Sequence, residues 1–261
     1  MHKETGCFDQ LPKSSVAPLA IGKRLGVRWT RIVDSTVVGQ VGGTMNSELP
    51  KTERTRLRRM RERGHFERET IYRILDAMPM CHVGYVIDDS PIVMPTIQWR
   101  EGDHVYWHAS NGGRGVKAWV GRPVCLTVSI LDGLVLARSG LHHSANYRSV
   151  MVFGQPVLVE DPGRKRDLLN GLIDALYPGR SEILRPIMGS EIKQTAVLSL
   201  PIEEASAKIR QQGPVDDESD YEWPVWSGTV PIRMQIMAPD PDPRNLDGLE
   251  VPDYVRKLSL G

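Results

Sequence analysis

The sequence contains no run of about 18 apolar residues, so nothing in it is built to cross a bilayer as a helix. Its first 30 residues hold no continuous apolar stretch of the kind a secretory signal carries, and a cytoplasmic location is expected. Cysteine is scarce. Cys7, Cys81 and Cys125 are odd in number, far apart and without a Cys-x-x-Cys spacing, which excludes a disulfide framework and a zinc knuckle and suits a reducing compartment. Net charge is nearly absent too: Lys plus Arg is 33 and Asp plus Glu is 32, a formal +1. That balance excludes a uniformly basic nucleic-acid binder and a uniformly acidic solvating chain. No internal repeat and no P-loop spacing is present. What remains is ordinary for a soluble globular protein: 261 residues, 40% apolar and 25% charged. The length allows one large domain or two small ones.

The balanced total hides an asymmetry. Residues 1–44 carry six basic and three acidic side chains, and residues 45–69 eight and five, so the rest of the chain is acidic. The first stretch has no sustained hydrophobic period and reads as a disordered or loosely ordered extension. Met45 could be an alternative start. Residues 45–69 read as a basic helical arm, with Lys51, Arg54, Arg56, Arg58, Arg59, Arg61 and Arg63 ahead of the first glycine, Gly64. Residues 70–238 form a β-rich domain, and the proline-rich 239–261 a tail.

Within the domain, Ile71, Ile74, Leu75 and Met78 recur at helical spacing until Pro79. Strands follow at 81–87, 92–100 and 104–109, then at 124–130, 134–137 and 147–160. A tight hairpin is expected at Asp132-Gly133. A second helix is capped by Asp161, opened by Pro162 and lined by Leu168, Leu169, Leu172, Ile173 and Leu176. A last strand is expected at 195–200. Many short strands broken by single helices exclude a parallel βαβ sheet. They predict a mainly β (α+β) fold, an antiparallel barrel with peripheral helices.

Two segments can carry chemistry. In Tyr106-Trp107-His108-Ala109-Ser110-Asn111-Gly112-Gly113-Arg114-Gly115-Val116-Lys117, a strand ends at a serine and three glycines precede or open a helix. Glycines let backbone N–H groups approach a ligand, and Arg114 and Lys117 add charge, which is how a phosphate is held. A plain strand-to-helix turn is the alternative. In the second segment, Tyr147, Ser149, Met151 and Phe153 share one strand face and Arg148, Val150 and Val152 the other. The polar start suggests a site at the strand's mouth. The adjacent His142 and His143 would point oppositely on a strand and lack a partner at ligand spacing, so no metal site is expected.

These segments, with Val225-Trp226-Ser227-Gly228-Thr229-Val230-Pro231, resemble the FMN-binding split-barrel superfamily typified by pyridoxamine 5′-phosphate oxidase, in its nitroimidazole-resistance-type branch, over about residues 66–235. The resemblance implies a six-stranded antiparallel split β-barrel with Greek-key topology and a homodimer holding FMN at its interface. It implies that Val93, Met94, Pro95 and Thr96 lie along the flavin ring. It also implies that the segment from His108 to Lys117, with Ala109, Ser110, Arg114 and Gly115, holds the ribityl phosphate, while Trp107 beside it reads as barrel packing or, alternatively, as a flavin contact. Tyr147, Arg148 and Ser149 match an Arg-Gln pair whose amide contacts FMN in the oxidase; Ser149 is shorter. The oxidase's Arg and His pattern near the C-terminus is absent, which argues against pyridoxamine-phosphate oxidation. Trp226 is expected to line the site, and His108 to supply a proton or contact substrate. The activity implied is reduction of a small organic acceptor, nitro-aromatic or quinone-like. The alternatives are a flavin-binding sensor without turnover, or the same barrel holding haem or a deazaflavin. For haem, His108, His142 or His143 could serve as axial ligand.

Overall fold

The computed structural model describes residues 47–260. The expectations for residues 1–44 lie outside them. The elements run in chain order β1 (Gly64–His65), α1 (Arg68–Ala77), β2 (Met80–Ile87), β3 (Ser90–Glu101), β4 (His104–Ser110), α2 (Arg114–Trp119), β5 (Val124–Leu136), β6 (Ser144–Gly154), β7 (Val157–Leu158), α3 (Pro162–Leu176), α4 (Gly189–Gln194), β8 (Thr195–Pro201), β9 (Glu204–Arg210), β10 (Gly228–Pro231) and α5 (Asp253–Arg256). Every pairing is antiparallel, in the order β1-β9-β6-β5-β2-β3-β4-β8-β7, with β10 added to β5. The class is the mainly β one expected, with ten strands among the described residues rather than six.

The core lies where alternation puts it. Val83, Leu126, Val128, Val150, Val152, Val105, Trp107, Leu198 and Leu200 fill the barrel. A second cluster, Trp99, Tyr106, Leu168, Leu172 and Val197, seats α3 on the outside of β4 and β8. The expected caps are in place: the Asp161 carboxylate accepts from the Arg164 N–H at 2.6 Å, one residue before Pro162. The β2–β3 hairpin closes through Asp88 and Asp89, both at positive φ (46° and 61°), which gives a two-residue turn its required twist.

Three readings differ from the structure. The hairpin at Asp132-Gly133 is instead one strand, β5, with a register shift between Leu131 and Gly133. Asp132 is held there by Arg148 of the neighbouring strand. The basic run is not helical; a single 3-10 turn spans Arg61–Arg63. Thr52 and Thr55 exchange side-chain and backbone hydrogen bonds, a local alternative to the helix ladder, and Arg54 pairs with Glu204. Strands β9 and β10 follow the strand that was to be the last.

Candidate functional site

The geometry of the site comes from a parting of strands. From Ser90 to Ile97, β3 pairs with β2, and only residues 98–101 pair with β4. β4 pairs along its whole length with β8 instead. Gln98 marks the fork. Its N–H donates to the Pro79 carbonyl at 2.8 Å, and its buried side-chain amide donates to Leu75 and Met78 at the end of α1. Beyond it, residues 93–96 and residues 108–110 form the two walls of a split. Val93 and Pro95 are exposed there, Thr96 is half-buried, and Met94 leans on the core.

On the opposite wall, alternation separates neighbours. Trp107 is fully buried, edge-on to Trp119 at 5.8 Å, and packs in the barrel. Among the described residues the indole N–H groups of both Trp107 and Trp119 lack a partner. Ala109 packs against the core. His108 and Ser110 point the other way and are exposed. The turn after Ser110 is pinned from outside: Asn111 donates through its N–H to the Gln194 carbonyl (2.8 Å) and through its amide to Lys193 (3.1 Å). Gly113 donates to Ser110 at 2.9 Å. The glycines have different reasons. A Cβ on Gly115 would stand 2.8 Å from the Trp119 ring, whereas one on Gly112 would meet nothing within 4 Å. Gly115 therefore serves packing, and Gly112 leaves open backbone. Arg114 and Lys117 stand exposed three residues apart on α2, and neither has an ion-pair partner among the described residues.

His108 opens onto a groove of about 420 Å³ that sequence reasoning did not foresee. Leu169, Leu172 and Ile173 of α3, Leu184 and Ile187 of the following loop, and Thr195 of β8 line it. These residues lie far from His108 in the chain, and no local pattern joins them to it. Partial burial pushes the imidazole pKa below its ordinary value. At the rim Arg185 and the Met188 N–H hold the Glu191 carboxyl down to about 2.

The other expected site residues lie elsewhere. Tyr147, Arg148 and Ser149 are on β6, three strands from β3 in the sheet order. Arg148 forms a two-pronged pair with Asp132 (2.7 and 2.9 Å), and the Ser149 hydroxyl donates to the Lys208 carbonyl at 3.3 Å. Trp226 is 67% exposed ahead of β10. Residues 93–96 and 108–110 flank the split, and residues 147–149 stand on β6, three strands from β3 in the sheet order. His142 lies 3.5 Å from Asp217, and His143 shares a hydrogen bond with the Ser139 carbonyl. Among the described residues no helix is long and apolar enough to cross a membrane.

A family model described as pyridoxamine 5′-phosphate oxidase matches residues 67–209. The flavocytochrome Anf3 from Azotobacter vinelandii is similar at 47% identity and TM-score 0.78, covering 80% of this chain and 98% of its own. An FAD and haem binding protein from Mycobacterium smegmatis is similar at 32% identity and TM-score 0.73, covering 76% and 97%. A 5-nitroimidazole antibiotic resistance protein from Bacteroides thetaiotaomicron matches at 20% identity and TM-score 0.45, covering 56% and 86%. No curated protein matches the chain.

Proposed function

The chain belongs to the pyridoxamine 5′-phosphate oxidase family of split barrels, and from that premise we propose that it is a flavin-binding oxidoreductase. The reading rests on one observation above all: β3 and β4 part at Gln98, and the split runs down to a turn carrying two cations without an ion-pair partner among the described residues. The residues present fit a flavin. Residues 93–96 offer a strand edge that pairs only with β2, against which a flat heterocycle can lie. Gly112 leaves its backbone open, and Arg114, Lys117 and the Ser110 hydroxyl suit a phosphate. The flavin, when bound, supplies acceptance and release of electrons. The protein's part is to place it, shield it and hold what it exchanges electrons with. His108, on the same wall as Ser110, orients or protonates the exchange partner in the groove beside it.

Tyr147, Arg148 and Ser149 stand three strands from β3 in the sheet order, and Trp226 is exposed ahead of β10. A second copy brings them to the flavin in the homodimer this reading includes. FMN is the simplest occupant of a single phosphate turn, and the FAD of the M. smegmatis relative would occupy the same ring and phosphate positions.

The test is the cofactor that copurifies with the full chain, identified by absorption and by chromatography after release. Arg114→Ala with Lys117→Ala removes two charge-assisted contacts of about 1.5–3 kcal/mol each and should weaken flavin by roughly 100-fold or more. A chain that takes up no flavin, or a double variant that binds it as the unaltered protein does, would refute the reading. Bleaching of the flavin by a reductant, followed by recovery with a quinone or nitro-aromatic acceptor, separates an oxidoreductase from a carrier.

A further inference from the structure

Arg210 ends β9 with only 4% of its surface exposed, and no carboxylate pairs with it among the described residues. Its guanidinium donates to Asn146 Oδ1 (2.6 Å) and to the carbonyls of Gln212 (3.0 Å) and Gly213 (3.1 Å), all neutral acceptors. Its Nε–H is buried and meets no acceptor among the described residues. A buried charge is ordinarily matched by an opposite one. Here the neighbours have the same sign. Alternation along β9 sends Ala205 and Ala207 into the core and puts Lys208 on the outer face with Arg210. The Lys208 ammonium stands 5.9 Å over the ring of Tyr147, the residue opposite Arg210 on β6, and it too lacks an ion-pair partner among the described residues. Gly64 pairs with Lys208 and so brings Arg63 to this edge of the sheet. In the basic run Arg54 pairs with Glu204, and Arg56 and Arg58 with Glu53. Arg63 is held differently. Its N–H donates to the Met60 carbonyl at 3.0 Å, its side chain is mostly covered, and the carboxylate nearest it is the exposed Glu62 at 3.9 Å. Burial, and after it the Arg63 charge, push the Arg210 pKa below its ordinary value.

We propose that Arg63, Lys208 and Arg210 form a binding site for a phosphate group, free or carried by a small phosphate monoester. The chemistry selects this occupant. Three cations gather around one loosely placed carboxylate, so a dianion balances them better than a single carboxylate would. Guanidinium forks match phosphate oxygens in pairs, and an ammonium adds a point charge. The orphaned Arg210 N–H calls for an acceptor at the same place. The site stands on β9, four strands from β3 in the sheet order, and does not depend on the flavin reading.

The experiment titrates the full chain as purified with inorganic phosphate and with AMP, at an ionic strength held constant by potassium chloride. Phosphorus-31 line broadening and the thermal midpoint are the readouts. Unaltered protein should broaden the phosphate signal saturably and gain in midpoint with phosphate but not with chloride. Arg63→Gln with Lys208→Gln removes two charge-assisted contacts and leaves the Arg210 hydrogen bonds in place. It should weaken phosphate by about 100-fold or more. Lys208→Gln alone, at a half-buried side chain, should weaken it by about tenfold and serves if the pair does not fold. AMP tighter than phosphate identifies a monoester as the source, equal affinities identify the free anion, and both uphold the site. If chloride acts as phosphate does, the assignment is wrong. It is equally wrong if the response survives Arg63→Gln with Lys208→Gln and is lost in Arg114→Ala with Lys117→Ala, because the anion then sits at the turn of the split. Flavin lost together with phosphate in the Arg63 and Lys208 variant would show that the cluster serves flavin and would overturn a separate site. A chain that binds phosphate through Arg63 and Lys208 and takes up no flavin upholds the site while the flavin reading falls.

Discussion

Two glycines three residues apart look equivalent as letters and differ as atoms. In the phosphate-turn reading Gly112 and Gly115 play one part; in the structure Gly115 is required by the indole of Trp119, which is wholly buried. A methyl group at 115 overpacks that contact and should cost about 1–3 kcal/mol, read as a lower thermal midpoint of the flavin-free protein. Gly112→Ala meets no protein atom, so stability should stay within about 0.5 kcal/mol while flavin affinity falls. Equal losses of stability in the two variants would contradict this division. The same distinction applies to Trp107. Strand alternation places it opposite His108, but the sequence does not say which face of β4 meets the core, because both faces carry aromatic or aliphatic residues there.

Elements were legible where propensity and burial agree. α1, α3 and the strands from 80 to 110 carry strong periods and clear stops, and they stand within a residue or two of expectation. β9 was not legible: Glu204-Ala205-Ser206-Ala207 has weak strand propensity and is a strand because Ala205 and Ala207 fit beneath β6. β10 was not legible because its partner surface, β5 beyond its bulge, was read as a turn. Gly133 is the price of that pairing, since a Cβ there would lie 2.8 Å from the Val230 carbonyl oxygen. Gly133→Ala should therefore release β10, seen as faster amide exchange at residues 228–231 with the barrel amides unchanged. The connection into β10 is also latched. Asp216, whose side chain is buried, accepts from the Arg138 N–H (2.9 Å) and guanidinium (3.0 Å). Burial alone would raise its pKa, but the Arg138 and Ser139 donors outweigh burial and hold it below the ordinary carboxylate value. A depressed folded-state pKa stabilises above the unfolded value of about 3.9 and ceases to as pH falls through the folded one. Asp216→Asn should thus lower the thermal midpoint at neutral pH and flatten its decline below about pH 4. A variant whose midpoint falls as steeply with acid as the parent's would show that Asp216 is not the titrating latch.

At the scale of the whole molecule, the exposed apolar surface is the feature a single chain leaves unexplained. Val93, Leu134, Trp226 and Met237 are all open to solvent, and residues 233–250 run exposed throughout, with Leu246 at 77% and Leu249 at 64%. Apolar surface on this scale marks an interaction site more often than an idle face. The site residues pose the same question from inside: residues 93–96 and 108–110 flank the split within one chain, and residues 147–149 stand three strands from β3 in the sheet order. A two-fold dimer answers both, covering the apolar surface and completing each split with the other copy's residues. An obligate interface of this kind should bury more than about 2,000 Å² in total. Because flavin and dimer would stabilise one another by mass action, dilution should release the two together. Leu246→Asp with Leu249→Asp probes the C-terminal tail without touching the barrel, since both side chains are already in solvent and their loss leaves no cavity. We expect the doubly substituted chain to keep the parent's circular dichroism, to sediment as a monomer at micromolar concentration and to lose flavin at a concentration where the parent retains it. A monomer that holds its flavin as tightly as the parent would show that one chain's split is a complete site, and a dimer indistinguishable from the parent would show that the C-terminal tail plays no part in forming it.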